Sequence, residues 1–190
     1  MALNGADVAV VDLNLQDAQG VAAEIAALGR SAIAVEADVA DQASVDSMVN
    51  TVVERFGRID ILVNNAGVIA APGWESRELP SDEDWDLIMS INVRGVARVT
   101  ETVAPHMMKR RYGKIVNIAS IAGRLGSRTS SPYSASKSAV ISMTQTAAVD
   151  LAEFNINVNA ICPGLLWTPM WRRIAARYEK IHEQDRGLSE

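Results

Sequence analysis

Cysteine is almost absent from this sequence: Cys162 is the only one, so no disulfide can form within the chain. Because it stands just before Pro163, we expect it to be a small buried apolar group and not a nucleophile. Histidine is also scarce, and the two that are present, His106 and His182, are far apart and show no metal-ligand spacing. We therefore predict neither a disulfide framework nor a metal site.

Long apolar runs and an excess of positive charge are lacking as well. No apolar run approaches the roughly 18 residues needed to span a bilayer, and the N-terminus has no basic region followed by an apolar stretch. The net charge is -5, which disfavours a nucleic-acid surface. The one basic cluster, at 109–111, is interpreted as the cationic end of a helix. These absences predict a cytoplasmic protein with no membrane or nucleic-acid partner.

The chain does have a regular alternation of strand-like and helix-like segments. Apolar runs that predict buried strands lie at 7–12, 31–37, 60–64, 114–119 and 157–162. Predicted helices lie at 14–28, 41–56, 81–111, 134–153 and 170–182. This alternation predicts an α/β fold with a doubly wound parallel sheet in three layers, α/β/α. Residues 1–190 are interpreted as one domain, with 165–190 as a segment that covers the substrate.

A tyrosine four residues before a lysine is the feature that points most directly to chemistry. Tyr133 and Lys137 fall in a predicted helix, where residues i and i+4 share a face, so the ammonium can lie near the phenol. A nearby cation favours the phenolate and moves the phenol pKa from about 10 toward the range in which a general acid or base is most effective. The same spacing also occurs by chance in helices, so its meaning depends on the surrounding sequence.

Several further motifs accompany this pair in a fixed order. They are Asp38-Val39, Asn64-Asn65-Ala66-Gly67, Asn92, Ser120, Tyr133-x-x-x-Lys137 and Pro163-Gly164-x-x-x-Thr168. With these motifs the chain resembles the short-chain dehydrogenase/reductase family of the Rossmann type over about residues 3–175. The resemblance implies an oxidoreductase that transfers a hydride between NAD(P) and a secondary alcohol or ketone.

The resemblance also implies a role for each catalytic residue. Tyr133 would exchange a proton with the substrate oxygen, and Ser120 would hydrogen-bond that oxygen and position it. Lys137 would lower the pKa of Tyr133 and bind the hydroxyls of the nicotinamide ribose. Asn92 matches the residue that holds a water in the proton relay behind Lys137; the alternative is a helix-interior asparagine that bends the helix or bonds to backbone.

The cofactor contacts can be assigned in the same way. Asp12 ends the strand after which a Rossmann fold places an acid on the adenosine ribose, and its charge would repel a 2'-phosphate, so NAD is favoured over NADP. The alternative is that Asp12 or Asn14 caps the following helix. The resemblance implies that adenine, ribose, nicotinamide or pyrophosphate would contact the other cofactor residues, namely Asp38, Val39, Asn65, Ala66, Gly67, Tyr133, Lys137, Pro163, Gly164, Leu166 and Thr168.

One part of the family pattern is missing. A glycine-rich loop of the type Gly-x-x-x-Gly-x-Gly should precede the strand that ends in Asp12, but the residues from Met1 to Asp7 do not match it. We therefore expect a truncated Rossmann-like domain that lacks its first strand, this loop and its last strand. Because the first strand lies at the centre of the sheet, its absence would leave two unpaired edges. A non-catalytic fragment that acts as an interaction or dimerising module is the alternative to an enzyme.

The expected substrate is a small alcohol or ketone bound under the loop 68–80 and the segment 165–178. These carry Trp74, Trp167, Met170 and Trp171, which suit an apolar or flat substrate face, although aromatic walls also stack on sugars and polyols. Trp167 and Trp171 packing against a partner subunit is the alternative. Surplus apolar residues on two helices, together with the resemblance, predict a homodimer or homotetramer built on Val96, Val99, Val103, Ala139, Met143, Ala147 and Leu151.

Overall fold

The computed structural model describes residues 1–125 and 131–187, with side chains described as far as Glu179. Strands and helices alternate along these residues, as the sequence predicts. The strands are β1 (Val8–Asp12), β2 (Ala32–Glu36), β3 (Ile61–Asn64), β4 (Gly113–Ile118) and β5 (Ile156–Ile161). The helices are α1 (Leu15–Ala27), α2 (Gln42–Phe56), α3 (Asp82–Ile88), α4 (Val96–Arg110), α5 (Ser131–Asp150) and α6 (Pro169–Gly187). None of the described helices is long and apolar enough to cross a membrane.

Local signals in the sequence set the ends of the first helices. The Asn14 side chain accepts a hydrogen bond from the Gln16 backbone and caps α1. Asp41 caps α2 in the same way, and Gly57 ends that helix with a φ of 74°, a left-handed conformation that glycine adopts without strain. These two helices therefore begin and end close to their predicted limits.

All strand pairs are parallel, but the strands form two sheets. β1 pairs with β2, and β3, β4 and β5 pair in that order. The inner edges of β1 and β3 have no strand partner among the described residues, which agrees with the expected gap where a central strand would lie. Exposed apolar side chains mark these strands, with Val11 on β1 and with Ile61 and Val63 on β3.

One hydrophobic core joins the two sheets despite this gap. It is buried beneath α2 and α4, and it takes residues from β2 as well as from β4 and β5. Its buried members include Val35, Val45, Val49, Val99, Val103, Met107, Ile115, Ile156 and Val158. The helices therefore hold the carboxyl ends of both sheets in one body, where the candidate site lies.

The long helix predicted at 81–111 is interrupted. The structure has α3, then a π-helical segment at Met89–Gly95, then α4. Two residues give the physical reason for the interruption. Asn92 directs its side chain to the Val68 backbone, and a Cβ on Gly95 would lie 2.8 Å from Val39, so this segment is fixed by close contacts to two loops.

The apolar surplus that supported an oligomer is largely used inside the chain. Val96, Val99, Val103 and Leu151 are buried, and Ala147 is partly buried and packs against the main core. Val149, which is 77% exposed, is the large apolar residue that α5 presents outward. The apolar pattern of these helices is explained by packing within one chain.

Candidate active site

Ser120 and Tyr133 meet beyond the carboxyl end of β4. Ser120 follows the strand and accepts a hydrogen bond from the Ala122 backbone at 3.1 Å, which starts a short 3-10 turn. Its side chain is hydrogen-bonded to that of Tyr133, which lies half-buried in the first turn of α5. The two residues, far apart in sequence, thus present two hydroxyl groups at one point.

Lys137 lies on the same face of α5, one turn after Tyr133. Its Nζ is 5.6 Å from the centroid of the Tyr133 ring and donates to the Ile118 carbonyl at 2.7 Å. The side chain is buried, and desolvation lowers the pKa of Lys137 to about 8. Gly123 allows the turn after β4 to pack closely against the backbone of α5, because a Cβ on Gly123 would lie 2.7 Å from the Lys137 carbonyl carbon.

The pKa of Tyr133 differs from the expectation drawn from the Tyr–Lys spacing. Burial raises it, and the hydrogen bond with Ser120 lowers it by less. Lys137 does not contribute the expected lowering of this pKa; its ammonium lies 5.6 Å from the centroid of the Tyr133 ring and donates to the Ile118 carbonyl. In this structure, Tyr133 is therefore held in its protonated form at neutral pH.

Asn92 is fully buried in the π-helical segment, and its amide is engaged with the chain itself. Its Oδ1 accepts from the Val68 backbone at 2.8 Å, and its Nδ2 donates to the Val68 carbonyl at 2.9 Å. The same Nδ2 donates to Ser136 Oγ at 3.1 Å, and Ser136 in turn donates to the Tyr133 carbonyl. These contacts match the backbone-bonding alternative for Asn92 and attach the loop after β3 to α5.

The acidic cofactor candidates lie at the carboxyl ends of β1 and β2. Asp12 is exposed, and its Oδ1 accepts from the Asn14 backbone at 2.9 Å while Asn14 caps α1. Asp38 accepts from the Ala40 backbone at 2.8 Å, and Val39 packs against Gly95. Both carboxylates thus shape a turn and keep further acceptor capacity for a ligand.

Asn65, Ala66 and Gly67 follow β3 directly. A Cβ on Gly67 would lie 3.2 Å from Asn92 Oδ1 and 3.5 Å from Lys137 Nζ. The missing side chain at Gly67 therefore allows the loop after β3 to approach Asn92 and Lys137 closely.

The segment after β5 approaches the site from its other side. The Pro163 carbonyl accepts from the Ile121 backbone at 2.9 Å, next to Ser120. Gly164 and Leu166 are exposed, and Thr168 Oγ1 accepts from the Trp171 backbone at the start of α6. The structure thus brings Ser120, Tyr133, Lys137, Asn92, Gly67 and Pro163 together, while Asp12, Asp38 and Leu166 lie at the periphery.

Sequence reasoning missed a buried polar chain that supports the site. Asn64 donates to Asn117 at 2.8 Å and to Thr100 at 3.0 Å, and Asn117 donates to Thr144 at 2.9 Å. These bonds connect β3, β4, α4 and α5. The available signal was an asparagine at corresponding positions near the ends of two adjacent strands, Asn64 and Asn117, which are register partners.

A second group of buried polar side chains lies between the loop 70–80 and α6, and the sequence predicted only part of it. Trp74 was expected to line the substrate pocket and is buried there with Asp84 and Arg177, whereas Trp167 is 73% exposed. Asp84 accepts from Arg77 at 2.7 Å and from Ser81 in a capping box. The sequence signal for that box is Ser81-x-x-Asp84, but nothing local indicates that Arg177 would join it. No group of three or more metal-ligating side chains occurs among the described residues.

Comparison with known proteins identifies the family. The family model for short chain dehydrogenases matches residues 1–179. The chain belongs to the short-chain dehydrogenase family. It is 43% identical over 185 residues to the sorbitol dehydrogenase of Cereibacter sphaeroides, a match that covers 96% of this chain and 70% of the relative. The family is one of oxidoreductases, and the predicted Rossmann-like fold is confirmed.

Solved structures of the same family agree with the fold. NAD⁺-bound xylitol dehydrogenase superposes with a TM-score of 0.85 at 38% identity, covering 91% of this chain and 66% of that one. A gluconate 5-dehydrogenase from Burkholderia cenocepacia, solved with NADP and tartrate, gives a TM-score of 0.82 at 34% identity, covering 92% and 67%. The chain thus spans about two thirds of the length of these relatives. Family members with this fold bind NAD or NADP.

Proposed function

We propose that the protein is an oxidoreductase that transfers a hydride between NAD and a secondary alcohol or ketone. The observation that carries the proposal is the hydrogen bond between the Ser120 and Tyr133 side chains, with the Lys137 ammonium one helical turn away. Two hydroxyl groups that meet at one point can hold a single substrate oxygen between them. A ketone oxygen can accept hydrogen bonds from both hydroxyl groups, and an alcohol hydroxyl can accept from one of them and donate to the other.

Each residue then has a role that follows from its surroundings. Tyr133, held protonated by burial, donates its proton to the ketone oxygen during reduction and is left as the phenolate. Oxidation is the reverse and starts from that phenolate, which takes the proton of the alcohol while the hydride leaves. Ser120 orients the same oxygen. Lys137 supplies a positive charge near the reacting oxygen, and Asn92 is a positioning residue that fixes the loop bearing Gly67 against α5.

The described residues fit part of a nicotinamide dinucleotide, which accepts or donates the hydride when bound. A ribose would bind beside Lys137 Nζ, next to the loop that bears Gly67, and the exposed Asp12 carboxylate would accept from the adenosine ribose hydroxyls of NAD. A 2'-phosphate would be repelled by that carboxylate, so NAD is proposed over NADP. No glycine-rich cradle for the pyrophosphate occurs among residues 1–125 and 131–187.

The substrate proposal rests on the relatives' names and on the chemistry of the pair. Sorbitol dehydrogenase and xylitol dehydrogenase are polyol enzymes by name, and both act at a carbon bearing a hydroxyl group. The alternative of a non-catalytic interaction module gains no support from these comparisons. We therefore test for oxidation of polyols and small secondary alcohols with NAD, and for reduction of the matching ketones with NADH.

The deciding experiment compares two tyrosine variants. Tyr133→Phe should remove nearly all NADH formation, at least about a hundredfold, because the ring is kept while the transferable proton is lost. Tyr112→Phe makes the same change at an exposed tyrosine after α4 and should leave the rate unchanged. NADH absorbance under saturating substrate measures both. A Tyr133→Phe protein that retained most of its activity would show that another group transfers the proton, and an inactive parent protein would favour the interaction module.

A further inference from the structure

A serine occupies a fully buried place on α5, on the face of the helix where apolar residues normally lie. Every fourth residue forms this buried stripe, which consists of Pro132, Ser136, Val140 and Thr144. Ser136 is 0% exposed. Alanine would occupy the same space, favours helix more strongly and buries no polar group. The serine is therefore explained by what its hydroxyl group binds.

The hydroxyl group of Ser136 joins two polar groups, and the direction of its hydrogen bonds is fixed. It donates to the Tyr133 carbonyl at 2.7 Å, an atom that can only accept. Its one proton is thus used, so Ser136 Oγ accepts the bond from Asn92 Nδ2 at 3.1 Å. The Asn92 amide cannot be turned over, because its Oδ1 faces the Val68 N–H and its Nδ2 faces the Val68 carbonyl. Hydrogen bonds therefore run in one direction, from Asn92 through Ser136 to the backbone of Tyr133.

A hydrogen bond from a hydroxyl group to the preceding turn is not by itself unusual in a helix. Three other hydroxyl groups of α5 make such a bond, those of Ser138, Thr144 and Thr146. Two features set Ser136 apart from the exposed Thr146. Its hydroxyl group also accepts from a buried side chain of another element, and its carbonyl acceptor belongs to the residue that bears the reacting phenol.

The bond to the Tyr133 carbonyl acts at the end of the helix where the backbone is held least. Tyr133 is the third residue of α5, and the first turn of a helix lacks part of its intrahelical hydrogen bonds. Its phenol has to meet Ser120, which follows a different element, β4. The link from Asn92 to Ser136 holds this turn against the π-helical segment, whose place is set by Val68. Because the phenol lies at the far end of its side chain, a small rotation of the turn would separate the two hydroxyl groups.

We propose that Ser136 is a positioning residue for Tyr133: it transmits the fixed place of Asn92 to the first turn of α5 and so keeps the Tyr133 phenol at Ser120. The inference rests on the proposed function, because it assigns a further residue to that same reaction. Ser136 acts through the backbone of Tyr133. Its loss should therefore change the ionisation of Tyr133 and the rate of the chemical step, and leave the binding of cofactor and substrate nearly unchanged.

Titration of Tyr133 tests the link without cofactor or turnover. The protein is labelled with fluorotyrosine, whose fluorine makes the phenol more acidic, and the fluorine resonance of Tyr133 is identified by its absence from Tyr133→Phe. Burial raises the pKa of Tyr133 more than the hydrogen bond with Ser120 lowers it. Ser136→Ala should let water reach the ring, so the titration midpoint should fall by at least about half a pH unit. A midpoint that does not fall, in a protein with an unchanged circular dichroism spectrum, would overturn the proposal.

Three comparisons show whether the change is local and passes through Asn92. Ser47→Ala makes the same substitution at an exposed serine of α2 and should leave the Tyr133 midpoint unchanged. The resonance of Tyr112, an exposed ring outside α5, should keep its midpoint in Ser136→Ala. Asn92→Leu removes the donor at the other end of the link, and adding Ser136→Ala to it should lower the Tyr133 midpoint no further. A second fall of the full size in the double variant would count against the link.

Rates then connect the link to the reaction. With NAD and an alcohol that the parent protein oxidises, Ser136→Ala should lower kcat at least about tenfold and change the KM of either ligand by less than about threefold. Ser47→Ala should leave kcat unchanged. An unchanged kcat in Ser136→Ala would reject the positioning role.

The outcomes separate this inference from the proposed function. A Tyr133 midpoint that falls in Ser136→Ala, in a protein that forms no NADH with any alcohol tested, would support the link from Asn92 through Ser136 to Tyr133 and reject the oxidoreductase proposal. NADH formation that Tyr133→Phe abolishes and Ser136→Ala leaves intact would support the oxidoreductase and reject the positioning role.

Discussion

Lys137 is the residue of the candidate site whose pKa burial lowers. Lys137 is 5% exposed, and its ammonium donates to the Ile118 carbonyl at 2.7 Å. Desolvation lowers its pKa from 10.5 to about 8. Near neutral pH the folded protein therefore holds a charged group in surroundings that disfavour charge, and the same group would act beside the substrate oxygen.

The stability cost of that charge should disappear at high pH. Between pH 8 and pH 10.5 the unfolded lysine binds more protons than the folded one, so the stability contributed by this residue must rise with pH. Relative to Lys137→Met, the wild-type free energy of unfolding should increase by about 3 kcal/mol over that interval. Urea unfolding at a series of pH values measures the difference.

A surface lysine provides the control for this effect. Lys109→Met, at the exposed end of α4, should show no such change relative to wild type across the same pH range. The difference in free energy of unfolding between wild type and Lys137→Met could instead stay constant or fall as the pH rises. Either result would show that burial does not lower the pKa of Lys137.

At the scale of elements, the close contact between the turn after β4 and the helix α5 positions the candidate site. A Cβ on Gly123 would lie 2.7 Å from the carbonyl carbon and 2.8 Å from the carbonyl oxygen of Lys137. Both are backbone atoms of a helix, so no side-chain rotation can relieve the overlap. Gly123→Ala should therefore separate the turn that bears Ser120 from the helix that bears Tyr133, destabilise the protein by about 1–3 kcal/mol and reduce its activity.

Gly20 gives a matched control in another helix. It lies within α1, and a Cβ there meets no atom within 4 Å. Gly20→Ala should leave activity unchanged and raise stability by up to about 1 kcal/mol, because alanine favours helix. Chemical denaturation of both variants checks the pair; similar stability changes for both would mean that the approach at Gly123 is not tight.

Element types were predictable from sequence because apolar runs and helix stop signals are local. Gly57 illustrates this, since its freedom to adopt a positive φ ends α2 where the sequence predicts. A bend in the predicted helix 81–111 was indicated by Asn92, a residue type that bends helices or bonds to backbone, but the π-helical form of Met89–Gly95 depends on the contact of Asn92 with the distant Val68. Long-range contacts also explain the two largest differences at the site.

The first difference is the pKa of Tyr133, which the Tyr–Lys spacing alone predicts to fall. Spacing places Lys137 on the correct face, but it does not show that the Ile118 carbonyl takes the ammonium or that burial dominates. The second is Arg177, whose partners are about a hundred residues earlier in the chain. Sequence therefore placed Tyr133 and Lys137 on one helix face, whereas the directions of their pKa shifts and the burial of Arg177 required three-dimensional packing.

For the whole molecule, two exposed surfaces are candidates for an interface between copies of the chain. We propose a homo-oligomer in which α5 packs against its counterpart through the face that Ala135, Ser138, Ser142, Gln145 and Val149 expose. The inner edges of β1 and β3 have no strand partner within residues 1–125 and 131–187, so they are a competing surface that presents backbone groups and the exposed Ile61 and Val63 to other chains. The two surfaces predict different assemblies: a closed symmetric one for the helix face and open-ended association for the strand edges.

Two substitutions distinguish these surfaces by sedimentation velocity at micromolar concentrations. Val149→Arg places a charge on a residue that is 77% exposed, so it should yield monomers with an unchanged circular dichroism spectrum if α5 forms the interface. Val63→Lys places a charge on β3, where the valine is 39% exposed, and should suppress only the larger, concentration-dependent species. Because each residue is outside the buried core, neither change should lower stability by more than about 1 kcal/mol. Monomers in the unmodified protein would reject the helix interface. A dimer that persists in Val149→Arg and dissociates in Val63→Lys would also reject it and would assign association to the strand edges.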